Sequence, residues 1–288
     1  MGKVRVVTDS ASDMPVELLK EIGVSMVPLT VHFGDDQFQD ALEMTAEEFY
    51  GTLESSPHHP RTSQPSPNDF AQCYQGVASE GDSVISIHLS SGLSGTYQAA
   101  ELAKTLVPDL DVHVVDSRTG SLGYGLMVME AARMAEAGAS VEDIVRSLKD
   151  VRSRLFLHFS VDTLEYLRKN GRIGGAAHLL GTLLSMKPIL TVGEDGYVAP
   201  VERVRGKGRR KVTKRLLELV QEHTSPGATI RCAVMHGNAQ EDAELILNEL
   251  NKLYQVEYSL VAPLGAIIGT HVGPGTLGVT FYECGKSQ

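Results

Sequence analysis

The chain of 288 residues has no tryptophan, only three cysteines, and no apolar run long enough to cross a bilayer. Cys73, Cys232 and Cys284 are widely spaced and form no CxxC pair. That argues against a disulfide framework or a zinc ribbon and fits a reduced cytoplasm. The opening MGKVRVVTDS lacks the apolar core of a signal peptide, so secretion is not expected. Gly2 does not open a myristoylation pattern, because position 6 is valine. Positive charge is in the minority, with 26 Lys and Arg against 36 Asp and Glu and a net charge of −10. Nucleic acid is therefore not the expected partner of the whole surface. There is no GxxxxGK[ST] and no HExxH, and the ten histidines show no metal spacing. The chain thus offers no P-loop, no metal site and no cofactor site of its own. His58-His59 reads as loop surface.

Hydrophobic residues make up 42% of the chain, enough for a proper core, and the length suggests two domains. The organising stretch is Ser83 to Leu106, which reads as strand, tight polar turn and helix. Ser83 to Leu89 alternates apolar residues with smaller or polar ones. Tyr97 to Leu106 carries apolar residues at helical spacing. Between them lies Ser90-Ser91-Gly92-Leu93-Ser94-Gly95-Thr96. A helix N-terminus presents unpaired N–H groups and favours an anion, and the hydroxyls of Ser91, Ser94 and Thr96 add neutral donors. The turn is thus a candidate seat for a carboxylate or phosphate. The simpler alternative is that the serines cap the helix.

The first half alternates strand and helix, the pattern of a parallel sheet covered on both faces. Its expected strands are Val4 to Val7, Val24 to Val31, Ser83 to Leu89 and Val112 to Val115. Its helices are Pro15 to Ile22 with Ser12 or Asp13 as cap, a capping-box helix from Thr45 to Leu53, one from Ser66 to about Ser79, Leu122 to Ala137, and Val141 to Val151. Four prolines between Ser56 and Pro67 make that segment an extended surface loop, with Thr62-Ser63 held between Pro60 and Pro65. Ligands collect beyond the carboxyl ends of parallel strands. Three such ends are polar here: Thr8-Asp9-Ser10, Ser90-Ser91 and Asp116-Ser117.

The second half begins near Leu155. Leu155 to Val161 reads as a strand and Thr163 to Lys169 as a short helix. Gly174 to Met186 reads as a buried helix, or one lining something apolar. Lys187 to Val192 and Tyr197 to Arg205 form a hairpin about Gly193–Gly196. Val212 to Glu222, Ile230 to His236, Glu241 to Leu253 and Val256 to Val261 alternate helix and strand. The chain then runs through Gly265 to Gly278 into a last strand, Val279 to Glu283. Gly273-Pro-Gly-Thr-Leu-Gly278 matches G-x-G-x-x-G but precedes a strand rather than a helix, so it is not read as a dinucleotide site. Seven basic residues fall in positions 205 to 215. They form either a solvated helix face or a docking face for phosphate or nucleic acid. Gly92-Leu-Ser94-Gly-Thr96 narrowly misses the nucleophile elbow G-x-S-x-G. A serine esterase or thioesterase is therefore an alternative, with Ser94 as nucleophile, His271 as base, and Asp116 or Asp162 as acid.

Seven stretches in one order resemble the DegV family: VTDSASDMP (7–15), RTSQPSP (61–67), SSGLSGTYQAA (90–100), VVDSRTGSLGYG (114–125), YLRKNGRIG (166–174), KPIL (187–190) and IGTHVGPGTLG (268–278). The resemblance implies a two-domain α/β fold of the dihydroxyacetone-kinase type. An N-terminal three-layer α/β/α domain with a mainly parallel sheet would span 1–154, and a C-terminal α/β domain with a mixed sheet would span 155–288. It implies a cytoplasmic, bacterial lipid-binding protein that is not itself an enzyme. Its ligand would be a long-chain fatty acid such as palmitate, bound without any cofactor. The partner implied is the separate ATP-binding subunit of fatty acid kinase, which phosphorylates the bound carboxylate. No nucleic acid and at most transient membrane contact go with that role. The carboxylate would rest on Thr62 and Ser94, with Ser63 and the Gly95 amide as neighbours. His271 would stand at the head group as a cation or hydrogen-bond donor. Arg203 or Arg205 would meet the phosphate or an acidic partner, and Arg168 and Arg172 would hold the domain interface. The Gly174–Met186 and Leu264–Ile268 segments would line the acyl tail.

Overall fold

The computed structural model describes residues 2–181, 186–206 and 208–285. The first half contains β1 (Val4–Asp9), α1 (Val16–Glu21), β2 (Val24–Val27), β3 (Thr30–Phe33), β4 (Asp36–Gln39), α2 (Ala46–Ser55), β5 (Arg61–Ser63), α3 (Pro67–Val77), β6 (Ser83–His88), α4 (Thr96–Ala103), β7 (Asp111–Asp116), α5 (Leu122–Glu136) and α6 (Val141–Arg154). Four of these strands form a wholly parallel sheet in the order β2-β1-β6-β7. Side-chain alternation then sorts the core. Val7, Val84 and Val112 face α3 and α4 with Phe70, Tyr74 and Ala99. Val6, Ile85 and Ile87 face the opposite way, toward Leu122 and Tyr124 of α5.

The second half contains β8 (Phe156–Ser160), α7 (Glu165–Lys169), β9 (Met186–Val192), β10 (Val198–Arg205), α8 (Arg209–His223), β11 (Thr229–His236), α9 (Gln240–Leu253), β12 (Gln255–Pro263), α10 (Ala266–Val272) and β13 (Leu277–Glu283). Its six-stranded mixed sheet has the order β10-β9-β8-β13-β11-β12. The β11–β12 pair is parallel and the other pairs are antiparallel. Helices α8 and α9 cover one face through Leu216, Val220, Ile246 and Leu250. The other face meets α5, which also packs on β1 and β6. Helix α5 is accordingly buried all round over its first ten residues, save Met129. The layers run helix, sheet, helix, sheet, helix, with α5 shared by both sheets. Two-domain α/β architecture, a parallel sheet and a mixed sheet all follow the expectation.

Four local expectations are corrected. The single strand Val24 to Val31 is two strands in different sheets: β2 joins β1, whereas β3 pairs antiparallel with β4 and β5 in a small third sheet. Pro28 between them has no N–H to continue a ladder. Neither Ser12 nor Asp13 caps α1, whose N-cap is Pro15; Asp13 instead ends the short turn Ser10–Ser12 in the left-handed region, at φ 54°. Gly174 to Met186 is not a buried helix. Gly174–Leu179 is a 3₁₀ turn with only Ala176 and Leu179 buried, residues 182–185 lie outside the described residues, and Met186 opens β9. Gly174 sits at φ 49° against the Val198 carbonyl, where a regular helix cannot pass. Finally, the stretch from Gly265 to Gly278 contains α10, which the sequence pattern did not announce.

Candidate functional site

The carboxyl ends of β1, β6 and β7 lie on one edge of the parallel sheet, as three parallel neighbours must. Asp116 at the end of β7 accepts from the Ser91 amide and hydroxyl, at 3.1 and 2.5 Å, and so ties down the first half of the central turn. The Ser90 hydroxyl donates to the Gly196 carbonyl of the β9–β10 hairpin at 2.8 Å. A Cβ on Gly92 would meet that same carbonyl at 2.7 Å, so glycine lets the two halves touch here. The Ser94 hydroxyl bonds the Thr96 hydroxyl at 2.8 Å and takes the Thr96 amide at 3.3 Å. Ser94 therefore does part of a cap's work. The N-cap of α4 is Gly95, which has no side chain to use.

The proline-rich loop reaches this turn because three of its residues become β5. Thr62 pairs with Val31 of β3, and the side chain of Gln64 lies over Gly95, where a Cβ would sit 2.4 Å from it. From the other side comes α10. His271 in its last turn shares a 3.0 Å hydrogen bond with the Thr62 hydroxyl through Nε2. Thr62, Ser63, Ser94 and His271 all line one cavity of about 360 Å³. Its remaining walls are mainly apolar: Leu157 and Phe159 of β8, Met235 of β11, Leu264 before α10, and Ile267, Ile268 and Val272 on it. Arg172 stands at its solvent edge and donates to the Leu93 carbonyl at 3.2 Å, bridging the two halves.

His271 is half-buried and its ring lines the cavity. Burial, with Arg172 and His59 nearby, drives its pKa down to about 3. It is neutral at physiological pH, so it stands at the site as a hydrogen-bonding group and not as a cation. Among the described residues its buried Nδ1 has no partner. An unpartnered buried N–H is rarer and costlier than an unpartnered lone pair. The proton therefore belongs on Nε2, which donates to Thr62 Oγ1 and leaves the threonine hydrogen free to point elsewhere.

Other sequence-nominated residues are placed differently. The Ser63 hydroxyl, though on the cavity wall, shares a 2.9 Å hydrogen bond with His32, and Gly95 lines an adjoining groove rather than this cavity. Arg203 and Arg205 are exposed on β10 and, among the described residues, do not line the cavity. Arg168 pairs with Glu165 on its own helix. Of the basic run, Arg209 and Arg215 are held by Asp162, Asp242, Glu202, Glu218 and Glu222, and Lys207 lies outside the described residues. Leu264, Ile267 and Ile268 line the cavity, whereas no described residue of 174–186 does. The esterase triad is not assembled. Ser94 bonds Thr96, His271 bonds Thr62, Asp116 holds Ser91 and Arg118, and Asp162 holds Lys187 and Arg209. A real serine–histidine–aspartate row does exist: Ser86 to His88 at 2.6 Å and His88 to Asp9 at 2.8 Å. All three are fully buried and none lines the cavity, so the row ties β6 to β1. Sequence reading missed this row because the strand period hides which face a serine takes.

A shared central helix, a parallel sheet joined to a mixed one, and a mainly apolar cavity lined also by hydroxyls and a histidine define a class of two-domain α/β proteins. The chain belongs to the DegV family. The family model described as "Uncharacterised protein, DegV family" matches residues 3–284. A DegV domain-containing protein of Deinococcus radiodurans is 40% identical over 277 residues, spanning 96% of this chain and 97% of the relative. Protein DegV of Bacillus subtilis is 36% identical over 277 residues, spanning 96% and 98%. Among solved structures, a fatty-acid-binding DegV family protein from Thermus thermophilus superposes with a TM-score of 0.91 at 39% identity, covering 98% of this chain and 99% of that one. DegV of Bacillus subtilis, a fatty acid binding protein, gives 0.89 at 35% identity, covering 98% and 100%.

Proposed function

We propose that this chain binds a long-chain fatty acid, palmitate or a close relative, and presents its carboxylate for phosphorylation to an acyl phosphate by a separate ATP-binding kinase subunit. The observation that carries the reading is a cavity that is apolar along most of its walls and is lined also by Thr62, His271 and Ser94. Thr62 accepts from His271 and donates to the carboxylate, so the two bonds polarise each other. Ser94 supplies the second hydroxyl. Hydroxyls and a neutral imidazole hold a carboxylate without locking it to a cation, which keeps its oxygens nucleophilic. The tail supplies the affinity: about 0.8 kcal/mol for each buried CH₂, or about 12 kcal/mol for roughly fifteen carbons before the several kcal/mol lost on association.

In this reading residues 1–154 carry the head-group loops and 155–288 close over the tail. The protein works in the cytoplasm as a carrier subunit with no catalytic apparatus of its own. Arg203 and Arg205, exposed on β10, face the phosphate or the partner subunit, and contact with membranes is transient. The test is mass spectrometry of the organic extract of the purified, denatured protein. One fatty acid per chain is expected, and the double variant Thr62→Ala, Ser94→Ala should come through purification largely empty. An empty wild-type extract that stays empty after incubation with palmitate and oleate would overturn the reading.

A further inference from the structure

Helix α10 carries His271 and four apolar residues of the cavity wall when Leu264 at its entry is included. Its N-cap, Gly265, has no side chain, so the helix cannot satisfy its first amides locally. Two carboxylates from the first half do so instead. Asp13 Oδ1 accepts from the Gly265 amide at 2.8 Å, and Asp40 Oδ1 accepts from the Ala266 amide at 2.9 Å. Asp13 is fixed in turn by the Ser121 hydroxyl at 2.5 Å. Both carboxyl groups are buried, with the Ser10 hydroxyl beside Asp40. A single local serine would cap the helix at far lower desolvation cost than two buried carboxylates. What a local cap cannot do is fix α10 relative to the first half, where Thr62 sits.

We propose that Asp13 and Asp40 are positioning residues: together they dock the entry of α10 onto the first domain, and so set His271 against Thr62 at the head-group end of the cavity. Three further contacts fit this role. A Cβ on Gly265 would come within 3.1 Å of both carboxylates, so the glycine admits them. One turn on, a Cβ on Gly269 would meet the Phe49 ring at 2.6 Å, so the same face of α10 lies tight on α2. Helix α10 packs against α2, β3 and β5, the last being the strand that carries Thr62. The charged and titratable groups facing the pair are Asp9, Tyr124 and Tyr50. Asp9 is itself satisfied by His88, Tyr124 and the Ala11 and Leu89 amides.

The proposal rests on the fatty-acid reading for its consequence but not for its mechanics, and two measurements separate them. Amide hydrogen exchange along α10 in ligand-free protein reads the docking. Titration with a fluorescent polyene fatty acid reads the site. Asp40→Ala should speed exchange at Ala266 and weaken fatty-acid binding by about tenfold each, the loss expected when a buried amide is left without its acceptor. Asp40→Asn keeps an acceptor oxygen and should restore both to within about threefold. Should Asp40→Ala fold poorly, Gly265→Ala pushes a methyl between the carboxylates and should shift both readouts the same way. Unchanged exchange in Asp40→Ala and Gly265→Ala would overturn the docking role. Faster exchange with wild-type affinity would reduce the pair to a structural cap and overturn the positioning role. Wild-type protein that binds no fatty acid would sink the functional reading, with exchange still deciding the docking.

Discussion

Thr62 and His271 are 209 positions apart and meet at 3.0 Å, and among the described residues neither side chain has another hydrogen-bond partner. Thr62→Val keeps the shape and deletes the hydroxyl. It should weaken fatty-acid affinity by about 1.5–3 kcal/mol, the value of a hydrogen bond to a charged group, measured by fluorescent fatty-acid titration. Wild-type affinity in Thr62→Val would remove Thr62 from the site. Two other buried groups give the protein opposite pH sensitivities. Among the described residues neither ring nitrogen of His158 on β8 has a partner, and its ring stands beside Phe156 and His223, which stack on each other at 4.1 Å. Burial lowers its pKa from 6.5 to about 4. The folded state thus favours the neutral ring, and the stability this gives is full above pH 6.5 and lost as pH falls toward 4. His158→Phe should remove that loss and, by deleting two unsatisfied polar atoms, raise stability at pH 7 by about 1 kcal/mol. Urea midpoints at pH 7 and pH 5 check it: a wild-type drop on acidification as large in the variant would refute it. Asp40 has the reverse sign. Burial raises its carboxyl from 3.8 to about 7, so its contribution is present below pH 3.8 and lost as pH rises through 7. The stability of Asp40→Asn relative to wild type should therefore improve between pH 5 and pH 8.

At the scale of elements, what was legible followed local rules. The capping boxes Thr45–Glu48 and Ser66–Asp69 start α2 and α3 where the sequence places them, and Ser140 caps α6. The β9–β10 hairpin turns at Gly193–Gly196 as read. What was not legible is held by distant partners. Strand β5 is three residues among prolines and exists because β3 pairs with it. Helix α10, AIIGTHV, is rich in β-branched residues and glycine, which favour other conformations in isolation. Its start signal lies 225 or more positions upstream, on Asp13 and Asp40. The site divides the same way. Ser94 and Thr62 stand out as hydroxyls on a turn and a stiff loop, whereas the role of Arg172 at the cavity edge needs the fold. The close fit of α10 on α2 gives an element-scale prediction. Gly269→Ala places a methyl where the Phe49 ring lies, and overpacking of this kind costs about 1–3 kcal/mol. Thermal unfolding should show that loss, together with weaker fatty-acid binding. A variant as stable as wild type would mean that α2 and α10 are looser than this contact implies.

Across the whole molecule, one buried helix belongs to two sheets, and this decides how the protein unfolds. Helix α5 contributes to a core cluster that includes Ile85 and Ile87 of the parallel sheet and Leu157, Phe159 and Met235 of the mixed sheet. Neither sheet can lose α5 without exposing the other. A charge cluster closes the same junction. Glu130 of α5, 7% exposed, is paired with Arg133 on its own helix and with Arg231 of β11, which also holds Glu257 and the Tyr282 hydroxyl. Burial alone would raise the Glu130 carboxyl, but the two arginines outweigh it and leave it below its ordinary value. Arg231→Ala removes the partner that crosses between the halves and leaves the buried carboxylate with Arg133 and the Ser147 hydroxyl. Breaking a buried pair from one side costs about 3–5 kcal/mol, and the remaining arginine should hold the loss near the lower figure. For a chain of this size about 3 kcal/mol is roughly a 6 °C fall in Tm. Because the core is shared, calorimetry of the wild type should show one transition that fatty acid moves upward, as any ligand bound only to the folded state must. Arg231→Ala should keep a single transition at lower temperature. If its trace instead splits in two while the wild type stays single, the charge cluster rather than the shared helix is what couples the halves.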